Sequence, residues 1–342
     1  MVNMRHIKPR EGDFIETIDQ AIFGVKGLVH PPGKVVAFIR YVPDPKGDRR
    51  RNGETFQKFY SLVERYRLLQ QKYPRYLIFD PVFDDYLNEV PIELIKHRYD
   101  PRRKLTELQD RTDLDEVEIQ ALELIELLSE QSSVTWNKIG ISGSVLVRLH
   151  HLTSDIDPIV YGSKNCLSVY ETLRRLLAEK QGSLKPYNNK ELKKLYEARS
   201  KDTIMPLEDF LRIEKRKALQ GKFKGRNYFI RFVKDWREVK ERYGDTLYKS
   251  IGYTKIRAIV VDDSEAIFTP CRYEIDKVQV IEGRKVAPIK EVTSFRGRFC
   301  EQAKIGERIK AQGKLEEVRE KDGTRYYRLL LGGRVTDYMI AG

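Results

Sequence analysis

The sequence predicts a multidomain α+β protein. The expected parts are an N-terminal α/β domain over residues 1–104, a central mixed sheet with helices over 105–251, and a C-terminal small β-barrel over 252–342. Three observations lead there. The chain has 342 residues, more than one ordinary core fills. Apolar residues at helical spacing recur between about residues 54 and 179. After about Gly252 the texture turns to short alternating runs punctuated by glycine.

In the first hundred residues, Ala21 to Val29 and Lys34 to Val42 read as strands around the Pro31-Pro32-Gly33 turn signal. Pro43 to Gly53 reads as a polar basic loop. Glu54 to Lys72 reads as a helix, with Phe56, Phe59, Leu62, Val63 and Tyr66 on one face. Tyr76 to Phe79 is a further apolar run. The polar stretch Asp100 to Lys104 marks the first domain boundary. A helix follows Asp113, a candidate N-cap, with Val117, Ala121, Leu124, Ile125 and Leu128 at helical spacing. Trp136 to Ile141 then reads as a strand, Val145 to Leu152 as a short helix, Asp155 to Tyr161 as a strand and Leu167 to Glu179 as a helix. Tyr228 to Val233 is an apolar-aromatic strand. Lys255 to Val261 and Ala266 to Tyr273 read as strands around an Asp262 to Glu265 turn. Ile309 to Val318 and Thr324 to Leu331 flank Asp322-Gly323, a hairpin signal.

Composition narrows the function classes. Hydrophobic residues make up 40% and charged residues 34%, which fits a folded globular chain. No stretch approaches the roughly 20 apolar residues of a membrane span. The segment Met1 to Glu16 has no apolar run of the secretory kind, so a cytoplasmic protein with no membrane partner is expected. Cys166, Cys271 and Cys300 are scattered, which disfavours disulfides and zinc. The histidines, His6, His30, His97, His150 and His151, show no metal-ligand spacing. Neither a P-loop nor a nucleophile-elbow motif occurs. A net charge of +13 favours polyanionic partners, nucleic acid first. Residues 185–250 alone hold 19 Lys/Arg against 10 Asp/Glu, enough to track a phosphate backbone.

The chemistry-bearing segment is Lys138 to Gly162, KIGISGSVLVRLHHLTSDIDPIVYG. An apolar run enters Gly143-Ser144, where small residues let the backbone approach a ligand. A short helix follows, whose first amides favour phosphate. Asp155 and Asp157 stand two apart on a strand, so both project from one face, roughly 6.5 Å apart. Such a pair can share divalent cations with triphosphate oxygens.

Gly143-Ser144, ten residues, then Asp155-Ile156-Asp157 resembles the signature of the DNA polymerase beta-like nucleotidyltransferase superfamily. More narrowly, Gly143 to Asp157 is similar to the GSxLVxLHxxxSDID stretch of archaeal predicted nucleotidyltransferases. That likeness extends through Phe229 to Lys234, Asp262 to Pro270 and Arg296 to Phe299, covering most of the chain. The resemblance implies a nucleotidyltransferase-like mixed sheet in the central domain. It also implies dependence on Mg2+ or Mn2+, and transfer of a nucleoside monophosphate from a nucleoside triphosphate. Asp155 and Asp157 would be catalytic metal ligands, Gly143, Ser144 and Lys164 nucleotide contacts. The sequence departs from the pattern twice. Pro158 follows the acid pair, and Phe229 and Arg231 stand where a third carboxylate is expected. Asp235 is the first substitute for that acid and Asp262 the second.

Cations and aromatics alternate at Arg296, Arg298 and Phe299 and at Tyr326 and Arg328, a pattern with which small barrels grip single strands. The leading expectation is nucleotidyl transfer to nucleic acid, plausibly RNA. The alternatives are a catalytically inactive nucleic-acid-binding protein that keeps the fold, and transfer to a protein or small molecule.

Overall fold

The computed structural model describes residues 8–179 and 181–342. His6 and the rest of the first seven residues lie outside them. The architecture is mixed α+β, with four sheets among the described residues.

The N-terminal region is mostly β. Its elements are β1 (Phe14–Thr17), β2 (Ile22–Val25), β3 (Lys34–Pro43), β4 (Arg49–Arg51), β5 (Glu54–Lys58), α1 (Leu62–Lys72), β6 (Leu77–Asp80), β7 (Asp85–Pro91) and β8 (Ile95–Tyr99). The sheet runs β4-β5-β3-β2-β1-β8, with β7 bridging β3 to β6. Strand β3 alternates as a half-covered strand should, burying Val35, Ala37, Ile39 and Tyr41. The helix expected from Glu54 begins instead at Leu62. Asn52 and Gly53 both adopt positive φ, 50° and 83°. They close a two-residue hairpin, and the chain returns as β5. Ser61 then caps α1.

The expected boundary at 100–104 is a helix start. Asp100 accepts from the Arg102 amide and Pro101 takes the first turn of α2 (Pro101–Gln109). A capping box of Asp115 and Glu118 opens α3 (Glu116–Ser132), which buries Val117, Ala121, Leu124, Ile125 and Leu128. Burying each such aliphatic side chain is worth about 1.5–3 kcal/mol. Next come β9 (Ile139–Ile141), α4 (Gly143–Leu146), β10 (Pro158–Tyr161), α5 (Ser163–Ala178), β11 (Leu184–Lys185), α6 (Asn189–Arg199), α7 (Leu207–Glu214), β12 (Gln220–Phe223), β13 (Arg226–Phe229) and β14 (Arg231–Val233). In the central sheet β10 pairs antiparallel with β9 and parallel with β14. The expected Tyr228 to Val233 strand is split at Ile230. Strand β13 belongs to a small β11-β12-β13 sheet, and β14 joins the central one.

The last region holds β15 (Thr246–Asp262), β16 (Cys271–Gly283), β17 (Ile289–Ser294), β18 (Arg308–Glu320), β19 (Arg325–Leu331) and β20 (Tyr338–Ala341). Pairings run β15-β16-β17-β19-β18 and return to β15, so five strands form a ring. Strands β17 and β19 are parallel. The Asp322-Gly323 hairpin forms as expected. Residues 266–270 are not a strand, because the chain bridges there to Phe232 of β14. One core runs without a break from Leu105 on α2 to Ala341 on β20. The N-terminal sheet has its own core, and a third cluster joins Phe14, Ile22, Tyr41 and Phe56 to Leu146, Val147 and Leu149 just after α4.

Candidate functional site

Asp155 and Asp157 precede β10 and continue its line. Ile156 bridges in parallel to Tyr228, donating from its amide to Asn227 O at 2.9 Å and accepting from the Phe229 amide at 3.0 Å. Ile156 is fully buried, so the alternation turns both aspartates the other way. Asp155 is exposed and Asp157 half-buried. The Asn227 amide donates to Asp155 Oδ1 at 3.1 Å. Gly143 has φ of 64°, and a Cβ placed there would sit 1.8 Å from Asp157 Oδ2. Glycine is therefore required both by conformation and by the close approach of the carboxylate.

The N-terminal sheet covers this edge with cations. Arg49 is buried and donates to Leu149 O at 3.1 Å and Ser154 Oγ at 3.4 Å, locking the β4-β5 hairpin onto the loop before the acid pair. Lys58 of β5 and Arg40 of β3 are thereby near enough to Asp157 to act on its charge, as is Arg231 of β14, whose guanidinium is itself paired with Glu11 at 2.8 Å. Burial first, then repulsion by Asp155, pushes Asp157 up to about 6, against the pull of Lys58, Arg231 and Arg40. Burial, then Arg40, brings Lys58 down to about 8. Among the described residues, the Lys58 ammonium makes no salt bridge, and it lies 4.7 Å from the centre of the exposed Tyr60 ring. Tyr187 stands near enough to Asp155 to feel its charge.

Among the described residues, neither of the expected third acids joins the pair. Register places Phe229 beside Asp157 and Asn227 beside Asp155 on the neighbouring strand. Asp235 caps the short turn of helix at Trp236–Glu238 and pairs with Lys138 at 3.4 Å. It adjoins Gly162, at the far end of β10, roughly 16 Å along the strand from Asp157. Asp262 accepts from the Ser264 amide in its own turn. Lys164 is exposed on the first turn of α5, also at the far end of β10. Among the described residues, the grouping of three acid or histidine ligand atoms within 4.8 Å of one another is Asp115, Glu118 and His150. There the capping box of α3 engages both acids, and His150 Nε2 lies 2.7 Å from Asp115 Oδ2.

The barrel positions fare differently from one another. Phe299 is buried in the core and Arg328 in the barrel wall, so neither can stack on or contact a strand of nucleic acid. Tyr326 is half-buried, its ring under Lys290. Arg296 and Arg298 instead turn toward Asp202, beside the acid-pair cleft. Ser144 is buried behind Gly143. The residues that sequence reading missed are Arg40, Lys58 and Arg65. The Asn52-Gly53 turn signal was the clue that would have put Lys58 on a strand facing the site.

The site is an acidic pair at the edge of a mixed sheet, roofed by cations from a separate β-sheet. No family model matches the chain, and no solved structure does. The sequence is 34% identical over 334 residues to the uncharacterized protein MJ1086 of Methanocaldococcus jannaschii, covering 95% of this chain and 96% of that one. The chain belongs to the same family as MJ1086. Among the described residues, no helix is long and apolar enough to cross a membrane.

Proposed function

We propose that the protein binds a nucleoside triphosphate with one divalent cation at the Asp155–Asp157 edge, on a nucleotidyltransferase-like scaffold that lacks the polymerase-type two-metal transfer step. The observation that supports this reading is the register of the neighbouring strand, with Phe229 beside Asp157 and Asn227 beside Asp155. Two carboxylates and triphosphate oxygens satisfy the oxygen preference of one Mg2+. A second ion on the side of an attacking hydroxyl would need a further acid. Bound Mg2+ would supply neutralising charge for the phosphates. Lys58, Arg40 and Arg231 would neutralise the remainder, and the Gly143 backbone leaves room for close approach. Exposed Tyr60 and half-buried Tyr187 flank the edge as surfaces for a base.

The test combines binding and transfer. Equilibrium dialysis with ATP, CTP, GTP and UTP, with and without Mg2+, should show Mg2+-dependent retention of at least one nucleotide. Asp157→Asn should reduce that retention roughly tenfold or more, the loss of a charged metal ligand. Incubation with α-labelled nucleotides, Mg2+ and RNA, DNA or total protein should leave every acceptor unlabelled. Label on an acceptor that disappears in Asp155→Asn would restore the transferase reading. No Mg2+-dependent retention of any nucleotide would overturn the binding reading itself.

A further inference from the structure

Beyond the acid pair, Arg296 and Arg298 gather on the carboxylate of Asp202, with Arg40 and Arg65 near enough to bear on the same charges. Arg296 donates to Asp202 Oδ2 at 3.0 Å, and Arg298 reaches the same oxygen at 3.7 Å. Arg298 also donates to Thr203 Oγ1 at 3.0 Å. Arg65 of α1 is buried, its guanidinium donating twice to the Phe59 carbonyl at 3.2 and 3.0 Å and to no acid. Among the described residues, Arg40 makes neither a side-chain hydrogen bond nor a salt bridge, and it is near enough to repel Arg65 and Arg296. The group therefore carries a net charge of about +3 when all members are ionised.

Leaving cations this buried without counter-charge is costly, because desolvation is not repaid. The deficit has a specific address: Arg296 Nη1 is buried and has no hydrogen-bond partner among the described residues. Room for the Arg296 stem is kept by Gly332, where a Cβ would fall 2.6 Å from Arg296 Cδ. Burial, then Arg40, brings Arg65 down to about 8, and burial, then Arg296, brings Arg298 down to about 9. An anion among them would reverse both.

We propose that Arg40, Arg65, Arg296 and Arg298 form a recessed binding site for a phosphate group. Guanidinium forks match phosphate oxygens in pairs, and an unpaired buried donor such as Arg296 Nη1 is what a bound oxyanion would satisfy. The site adjoins the acid pair through two contacts. Phe229 neighbours Asp157, and Gly297 lies so close to Phe229 that a Cβ there would fall 2.5 Å from the ring. The phosphate is either free, as pyrophosphate, or borne by a nucleic acid whose end reaches the acid pair. The site shares Arg40 with the acid-pair side but does not require nucleotide at Asp157.

Thermal unfolding and calorimetric titration test it, using pyrophosphate, a 5′-phosphorylated single-stranded oligonucleotide and its 5′-hydroxyl counterpart. Pyrophosphate should bind and raise the melting temperature. Arg296→Met and Arg65→Met should each weaken it roughly tenfold or more, the loss of a charge-assisted hydrogen bond. Asp202→Asn should act the other way and tighten it about tenfold, because the competing carboxylate charge is gone. That variant keeps the proposal testable if an arginine variant fails to fold. Asp157→Asn should leave pyrophosphate binding within about twofold, which separates this site from the nucleotide edge. Preference for the 5′-phosphorylated strand over the 5′-hydroxyl one assigns a nucleic acid end as the source. Equal, weak binding of both strands with tight pyrophosphate assigns a free polyphosphate. No binding of any probe, or binding unchanged in Arg65→Met, Arg296→Met and Asp202→Asn alike, would overturn the site.

Discussion

Arg328 and Arg296 are both arginines placed behind the barrel surface, yet their surroundings are opposite. In the barrel wall, Arg328 donates to Glu316 Oε2 at 2.9 Å, lies 3.9 Å from Glu291 and stacks 3.7 Å over the Tyr248 ring. Lys314 closes that network between Glu316 and Asp85. Although burial works against it, this setting holds the Arg328 pKa above its ordinary value, with Glu316 the chief favourable cause. In the cleft, arginines outnumber their carboxylates, and burial lowers Arg65, Arg296 and Arg298. The first arrangement is complete within the chain. The second is complete only with an anion from outside. Buried charge by itself marks neither structure nor function; the balance of partners separates them.

Three measurements break or sharpen that contrast. The largest effect is expected in the barrel wall. Arg328→Met should lower stability by about 3–5 kcal/mol in urea unfolding, because two buried glutamates lose their guanidinium. A loss below about 1 kcal/mol would mean that Lys314 alone neutralises the wall.

The next effect has the opposite sign. The folded pKa of Asp157 is about 6 against 3.8 for the free side chain. Between those values the native state holds the extra proton, so native stability falls as pH rises from about 4 to 6. Above about 6 the ionised carboxylate carries its full cost. Asp157→Asn should therefore stabilise the protein at pH 7–8 by about 1–2 kcal/mol, after screening of a half-buried group. The gain should vanish below about pH 4. Destabilisation at pH 7–8 would make Asp157 a structural residue.

The smallest effect concerns Lys58, whose ammonium loses its proton near pH 8. Triphosphate binding should be strongest between about pH 7 and 8, weaken below about 6 as Asp157 takes up a proton, and weaken above 8 as the Lys58 charge is lost. Lys58→Met should bind more weakly throughout and lose the decline above about pH 8. A decline that persists in the variant would assign it to another group.

The legible parts of the molecule were those fixed by local chemistry. The apolar face of α3, the Asp322-Gly323 hairpin and the existence of β3 are written in contiguous residues, although the α3 cap is Asp115 and not the expected Asp113. Asp155 and Asp157 were found because a strand puts alternate side chains on one face. What escaped needs contacts distant in sequence. Lys58 was hidden when the phenylalanine spacing of Phe56 and Phe59 was read at helical period, although the Asn52-Gly53 turn forces a strand. Asp235 was placed near the acid pair by chain proximity to β14, but a parallel strand carries it to the opposite end of the sheet. Arg328 looked like a surface residue because alternation alone does not say which face of a closed ring is covered, and Phe299 because Arg296 to Phe299 reads as a strand, whereas Gly297–Phe299 is a short helical turn. The polar stretch at Asp100 to Lys104 is the capped, proline-led start of α2, and a core separate from that of the N-terminal sheet begins there at Leu105.

The uninterrupted core from α2 to β20 has a consequence for cooperativity. The barrel and central sheet share apolar contacts, so they should open together, as one folding unit. The N-terminal sheet has its own core and is tied to that unit through the smaller cluster of Phe14, Ile22, Tyr41 and Phe56 with Leu146, Val147 and Leu149, so it should loosen at lower cost. Arg40, Lys58 and Arg65 belong to that second unit, whereas Asp157, Arg296 and Arg298 belong to the first. An anion held between them would tie the two units into one transition, so affinity for ligand and resistance of the N-terminal strands to local opening would be the same free energy, measured in two ways.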